Sequence, residues 1–149
     1  MIPAAPAPLQ HPAPRRWQAA WREAVRDPRE LLAMLGLESL AVGWSEAAAR
    51  QFPLRVPRGF VARMRHGDPA DPLLRQVLPV LEEDRLVPGF SLDAVGDGAA
   101  RRGGGLIHKY RGRALLVATG SCAVHCRYCF RRHYPYADDS AAAAGWQEA

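Results

Sequence analysis

Long apolar runs, lysine and cysteine are all scarce in this sequence of 149 residues. No apolar run reaches the roughly 20 residues that a transmembrane helix needs, and residues 1–16 lack the apolar segment of a secretory signal. Cysteine occurs three times, and this odd number argues against a disulfide framework. We therefore expect a cytoplasmic protein with reduced thiols and no membrane partner.

Lysine is present only as Lys109, whereas nineteen residues are arginine. The net charge of +5 is typical of chains that bind nucleic acid. The arginines are interspersed with fifteen carboxylates, however, and do not form one basic stripe along the sequence. We therefore do not expect nucleic acid as the partner.

The length and the 48% content of hydrophobic residues suit one globular domain. Residues 1–16 read as a disordered, Pro/Ala-rich leader, because five of the first fourteen residues are proline. Apolar periodicity and capping residues predict a helical region over residues 17–105. The first expected helix begins near Trp17 and stops before Asp27. The others begin near Pro28, Glu46, Pro57 and Pro72, with Asp27, Ser45 and Asp71 as N-caps and Glu30 completing a capping box.

The end of this helical region, residues 88–105, is rich in glycine and is predicted to be a loop that closes with a flexible linker, Gly103–Gly105. Two apolar runs follow, Leu106–Tyr110 and Ala114–Thr119. The second is bounded by glycines and predicts a buried parallel strand. The residues after it lie where α/β proteins carry their chemistry, at the carboxyl end of a strand. Asp139 or Ser140 is then expected to cap an alanine-rich helix.

All three cysteines occur after this predicted strand, as Cys122, Cys126 and Cys129, with gaps of three and two residues. On one short loop, three thiols can turn toward a common centre. Three thiolates hold a cubane iron–sulfur cluster with one iron left open to a small molecule. The alternative is a structural zinc site with His125 or His133 as the fourth ligand.

The CxxxCxxC spacing, with the aromatic Tyr128 before the last cysteine, resembles the signature of the radical S-adenosylmethionine (SAM) enzymes. Six further segments together resemble the lysine 2,3-aminomutase family: RVP at 55–57, GDP at 67–69, DPLLRQV at 71–77, PGF at 88–90, HKYRGR at 108–113 and CRYCFRRHYPY at 126–136. The segment WQAAWREAVRDPRELLAMLGL at 17–37 is most similar to the branch that forms β-lysine for elongation factor P.

The resemblance implies an α/β fold in which residues 106–149 begin a radical SAM, partial TIM-type barrel, truncated in this chain. It implies an isomerase that converts L-lysine to β-lysine, with a [4Fe-4S] cluster, SAM and pyridoxal 5′-phosphate (PLP) as cofactors. Chains of the family are more than twice as long. The resemblance therefore also implies that this N-terminal part alone is inactive.

The same resemblance assigns roles to individual residues. It implies three cluster ligands: Cys122, Cys126 and Cys129. Tyr128 falls where the family contacts SAM, and Tyr110 and Arg113 fall where it contacts PLP. Arg131 falls where the family pairs with the substrate carboxylate, a role that suits a bidentate guanidinium.

Without the resemblance, plainer interpretations of these residues remain. Tyr110 would be a core aromatic residue and Arg113 an exposed charge at a strand end. Arg131 and Arg132 would be a solvated pair or a phosphate-binding patch. Two other functions therefore remain as alternatives: a zinc-stabilised, basic nucleic-acid-binding module and a non-catalytic iron–sulfur fragment.

Overall fold

The computed structural model describes residues 15–39, 43–136 and 138–141, without the side chains of Arg15, Arg16, Phe130 and Arg131. Five α-helices precede three β-strands in these residues. The helices are α1 (Arg15–Arg22), α2 (Pro28–Met34), α3 (Glu46–Gln51), α4 (Arg58–Val61) and α5 (Pro72–Val77). The strands are β1 (Arg101–Gly103), β2 (Leu106–Tyr110) and β3 (Arg113–Leu116), and three 3₁₀ helices span Leu81–Asp84, Gly98–Ala100 and Phe130–His133.

The predicted helix N-caps are confirmed. Ser45 Oγ accepts a hydrogen bond from Ala48 N at 2.9 Å, and Asp27 Oδ1 accepts one from Arg29 N at 2.8 Å. Asp71 caps α5 in the same way. Glu30 was expected to complete a capping box after Asp27. It instead forms an ion pair with Arg58, with 2.5 Å between Oε1 and Nη2.

Helix α1 ends at Arg22, before the predicted boundary near Asp27. Val25 lies in extended backbone and forms an antiparallel bridge with Val56. The two residues exchange N–H···O bonds of 2.8 and 3.0 Å, and both are fully buried. This pairing satisfies the backbone groups of Val25 through a distant partner, so the helix does not need to continue.

One hydrophobic core lies within the helical region, formed by α2, α4, α5 and the segments that join them. Its buried residues are Val25, Leu31, Leu32, Leu35, Leu37, Leu54, Val56, Val61, Met64, Leu74, Val77 and Leu78. Val124, which lies between Cys122 and Cys126, packs against this core from outside. The cysteine segment is therefore seated on the helical region.

The mixed α/β class is confirmed, but the prediction of a buried parallel strand over Ala114–Thr119 is wrong. The sheet has the order β1-β2-β3, and both pairings are antiparallel. All four residues of β3 are exposed. The reason lies in the two-residue turn before β3, in which Gly112 adopts a φ of 78°. Such a turn folds a strand straight back, whereas a parallel pairing requires a longer crossover. The described residues contain no barrel.

The prediction of a flexible linker over Gly103–Gly105 is also wrong, because Gly103 ends β1 and the next two glycines form the turn to β2. Gly105 adopts a φ of 79°, and a Cβ atom there would lie 2.5 Å from the backbone nitrogen of Ala141. Its own N–H donates to Asp139 Oδ1 at 2.8 Å. Glycine is required at this turn for both its backbone conformation and its lack of a side chain.

The alanine-rich helix expected after Ser140 falls mainly on residues 142–149, which lie outside the described residues. Across the residues that are described, no helix combines the length and the apolar character needed to cross a membrane.

Candidate functional site

The three cysteines line one small cavity of about 40 Å³. Its other lining residues are Phe52, Gly120, Val124, His125 and Tyr136. Cys122 and Cys129 are half-buried, Cys126 is exposed, and none of them forms a disulfide. The structure therefore places all three predicted ligands at the wall of the same cavity.

The donor set of this cavity suits an iron–sulfur cluster, because three soft thiolates leave one iron without a protein ligand. Among the described residues, no three His, Cys, Asp or Glu side chains converge as a ready metal-binding group. The thiols share a cavity, and binding a cluster requires their side chains to turn inward.

His125 lines the cavity, but its ring is held by other partners. Its Nδ1 lies 2.8 Å from the carbonyl oxygen of Pro53, to which it donates, and the ring stacks on Phe52 with 4.7 Å between centroids. Burial lowers the pKa of His125, and the neighbouring cations Arg55 and Arg127 act in the same direction. The imidazole is therefore neutral near pH 7, with only Nε2 left to accept a metal.

His133, the other histidine considered for zinc, does not line the cysteine cavity. Its Nδ1 lies 2.8 Å from Nε2 of Gln51. Of the two predicted fourth ligands, the structure thus places only His125 in the cavity that all three cysteines line, whereas His133 lines a neighbouring cleft with Cys129.

Arg127 holds the cysteine segment against the helical region, a role that the sequence analysis missed. The residue is only 7% exposed. Its Nη2 lies 2.7 Å from Glu83 Oε2, and its Nη1 donates to the carbonyl oxygen of Phe52 at 2.6 Å. Nη2 also donates to the Ala48 carbonyl at 3.0 Å. The guanidinium thereby joins the loop to α3 and to the 3₁₀ helix that contains Glu83.

Glu83 receives a second arginine, since Arg132 Nη1 lies 2.6 Å from the same Oε2 atom. Burial alone would raise the pKa of Glu83. The hydrogen bond from Arg127 and the two positive charges outweigh burial and hold the pKa below its ordinary value. Glu83 is therefore ionised at neutral pH and clamps both arginines that flank Tyr128–Arg131.

Backbone contacts fasten the same loop at other points. The indole Nε1 of Trp21, on α1, donates to the carbonyl oxygen of Cys122 at 3.4 Å. The N–H of His125 donates to the Arg55 carbonyl at 3.0 Å, and that of Arg127 to the Gln76 carbonyl at 2.7 Å. The positions of the cysteines are thus set largely by the helical region.

Tyr128, Tyr110 and Arg113 do not line the cysteine cavity. The side chain of Tyr128 is fully exposed and borders a neighbouring cleft that also contains Cys129. Arg131 lies in the 3₁₀ helix Phe130–His133, directly after Cys129, and its side chain lies outside the described residues.

Tyr110 and Arg113 close the hairpin formed by β2 and β3. They face each other in the strand register, and the Arg113 guanidinium lies 5.2 Å from the centroid of the tyrosine ring. Both residues are exposed. Lys109 beside them pairs with Asp97, with 3.4 Å between Nζ and Oδ1, and also contacts the Val95 carbonyl. The hairpin tip is therefore cationic and open to solvent.

Comparison with known proteins finds relatives that share one name, L-lysine 2,3-aminomutase. No family model matches the chain. The chain is 46% identical to L-lysine 2,3-aminomutase of Escherichia coli over 144 residues, which are 95% of this chain and 41% of the relative. It is 40% identical to L-lysine 2,3-aminomutase of Haemophilus influenzae over 133 residues, 89% of this chain and 39% of that relative. The chain thus spans about two fifths of the length of these curated relatives.

Proposed function

Because the chain belongs to the lysine 2,3-aminomutase family and matches the N-terminal portion of its relatives, we propose that it forms the cluster-binding part of a radical SAM isomerase acting on L-lysine. One observation carries the proposal. Cys122, Cys126 and Cys129 line a single cavity, on a loop that buried contacts fasten to the helical region.

In this function Cys122, Cys126 and Cys129 would each supply one thiolate to the cluster. When bound, the cluster, SAM and PLP would supply the radical chemistry of the reaction. The chain's own residues bind and orient. The docked loop holds the thiolates.

The remaining assignments follow the position of each residue. Tyr128, exposed beside Cys129, contacts SAM, and the Tyr110–Arg113 pair contacts PLP, whose phosphate matches the cationic hairpin tip. Arg131 pairs with the carboxylate of lysine. Lys109 does not serve as a PLP-binding lysine, and its contacts with Asp97 and the Val95 carbonyl suit a supporting role on the hairpin.

We further propose that the product is β-lysine, that it serves the modification of elongation factor P, and that the protein acts in the cytoplasm. The support for the branch is the sequence similarity of the segment 17–37, which contains most of α1 and all of α2. Trp21 of this segment contacts the backbone of Cys122, so the segment lies beside the proposed site.

Anaerobic reconstitution of the 149-residue chain with iron and sulfide tests the cluster assignment. We expect a brown protein with broad visible absorption and about four irons per chain, since the three thiolates suit a cubane cluster. A parallel sample receives zinc in place of iron. A colourless protein that retains one tightly bound zinc and no iron would contradict the proposal and favour the zinc-stabilised module.

Arg131→Lys tests the substrate contact in a chain of the relatives' length that begins with these 149 residues. We expect normal SAM binding but slower turnover of lysine, because lysine keeps the charge and loses the bidentate fork. Losing two charge-assisted contacts costs on the order of 2–3 kcal/mol, or roughly 30- to 150-fold in kcat/KM.

The control for this measurement is Arg85→Lys, the same exchange at an exposed arginine outside the cysteine loop. Steady-state kinetics with mass-spectrometric detection of β-lysine compare the two variants. Unchanged kinetics in Arg131→Lys would show that Arg131 does not bind the substrate.

A further inference from the structure

The hairpin that carries Tyr110 and Arg113 is connected to the cysteine cavity by a second, smaller core. The buried residues of this core are Ala100, Ile107 and Val117, and Tyr134 and Tyr136 pack against them. Tyr136 also lines the cysteine cavity, and its ring centroid lies 4.7 Å from that of Tyr134. Packed side chains therefore run without a break from the base of the hairpin to the thiols.

Asp139 joins the two sides of this core by hydrogen bonds. Its side chain is only 2% exposed. Oδ2 accepts from Arg101 Nε at 2.6 Å and from the hydroxyl of Tyr134 at 2.7 Å, while Oδ1 accepts from the Gly105 N–H at 2.8 Å. Arg101 and Gly105 belong to β1 and the turn after it, whereas Tyr134 follows Cys129 in the chain. The carboxylate is thus shared between the hairpin base and the cysteine segment.

Backbone contacts beside Asp139 complete this connection. The Ala141 N–H donates to the Val117 carbonyl, and the Val117 N–H donates to the Gly105 carbonyl, both at 2.8 Å. Gly105 has no space for a side chain against Ser140 and Ala141. The base of the hairpin is therefore held on both of its strands, while its tip at Tyr110 and Arg113 stays exposed.

We propose that Asp139 is a positioning residue that sets the hairpin tip at a fixed place relative to the cysteine loop. It acts through Arg101, Gly105 and Tyr134 and touches no reactant. The inference rests on the proposed function, in which PLP is held at the hairpin tip and SAM at the cluster, because the two cofactors must meet at a defined separation for hydrogen transfer.

The charge of Asp139 is what allows it to serve three donors. An ionised carboxylate only accepts hydrogen bonds, whereas an amide directs an NH₂ group at part of its surroundings. In Asp139→Asn, the amide NH₂ faces either the N–H of Gly105 or the Nε–H of Arg101, so one of these two donors loses its acceptor in either orientation. This substitution changes few atoms and removes the connection, so it is a sharp test.

Hydrogen exchange of the 149-residue chain tests the connection itself. We expect the Gly105, Val117 and Ala141 amides to exchange about tenfold faster in Asp139→Asn, because their partners loosen. The matched control is Asp138→Asn, an exposed neighbour. Iron content after reconstitution is expected to match the unsubstituted chain in both variants, since the contacts of Arg127 are intact.

The phenol of Tyr134 offers a second measurement. Burial, followed by the hydrogen bond to Asp139, raises the pKa of Tyr134 to about 12, with Arg101 opposing and Tyr136 adding to the shift. The donated bond is present below the ordinary tyrosine pKa of about 10 and is lost as the pH rises through about 12. In Asp139→Asn, ultraviolet titration should show this tyrosine ionising nearer pH 10, and Tyr134→Phe identifies its signal.

Binding of PLP decides whether the connection matters to the site. In a chain of the relatives' length that begins with this sequence, Asp139→Asn should weaken PLP binding about tenfold and leave SAM binding unchanged. Unaltered PLP affinity, or unaltered exchange at Gly105 and Val117, would overturn the inference. A protein that takes up no iron even without substitution would instead count against the proposed function, while the exchange measurement would still report on Asp139.

Discussion

Replacement of any one of Cys122, Cys126 or Cys129 by alanine is expected to abolish stable cluster binding. A cubane left with two protein thiolates is under-ligated, and the sequence contains no other cysteine to replace the missing ligand. Iron and sulfide analysis after anaerobic reconstitution measures the effect, with loss of the broad visible absorption as a second sign. We expect iron to fall from about four per chain to near zero in each variant.

The matched control for these variants is Ser121→Ala, which lies directly before Cys122, is exposed and carries no thiol. The loop is fastened by Trp21, Arg55 and Arg127, so circular dichroism of all four variants should match that of the unsubstituted chain. Near-normal iron in all three cysteine variants would refute the assignment of the ligands. Loss of iron only with loss of helical signal would indicate a folding defect instead.

Removing the guanidinium of Arg127 is expected to have the largest effect on stability. Arg127→Met leaves the Glu83 carboxylate and the carbonyls of Ala48 and Phe52 without their buried donor. Breaking a buried ion pair from one side costs about 3–5 kcal/mol. Arg132 still pairs with Glu83, which places the expected loss toward the lower end of that range. Such a loss is a large part of the 5–15 kcal/mol that stabilises a typical domain.

Urea denaturation followed by circular dichroism measures the free energy of unfolding for this variant. The control, Arg85→Met, removes an exposed guanidinium and should change that free energy by less than about 0.5 kcal/mol. An Arg127→Met protein as stable as the control would show that the loop is not held by this ion pair.

Arg127→Met also distinguishes loss of the cluster through a missing thiolate from loss of the cluster through a loop that is no longer held in place. Under conditions in which Arg127→Met remains folded, its three cysteines are intact but the loop is no longer clamped to α3. We therefore expect iron uptake that is slower and weaker than in the unsubstituted chain, without the complete loss seen in the cysteine variants. Full and stable iron loading would show that the thiols find their arrangement without the helical region.

Local signals in the sequence were sufficient for the helix starts. Asp27, Ser45 and Asp71 each bond to an N–H two or three residues later, so the capping interaction is complete within a few residues. Helix ends were predicted less well. Val25 left the helical pattern to pair with Val56, thirty-one positions away, and periodicity carries no information about such a partner.

The sheet shows the same limit. Two apolar runs were recognised near Leu106 and Ala114, but whether a strand pairs parallel or antiparallel depends on the connection before it. The Arg111-Gly112 turn, with glycine at positive φ, turns the chain straight back on itself. The prediction of a flexible linker at 103–105 is wrong for a related reason. The sequence does not distinguish a glycine that close packing requires, such as Gly105, from one that provides flexibility.

Residue type and spacing along the chain specify which reactive groups this protein carries: three thiols at a spacing that lets them share one centre, within a set of motifs that identify the family. How those thiols are held follows only from the tertiary fold. Glu83 lies 44 positions from Arg127, and Asp139 lies 34 from Gly105. Reactive groups are encoded by residue type and short spacing, whereas the buried charges that position them depend on which distant segments the hydrophobic core brings together.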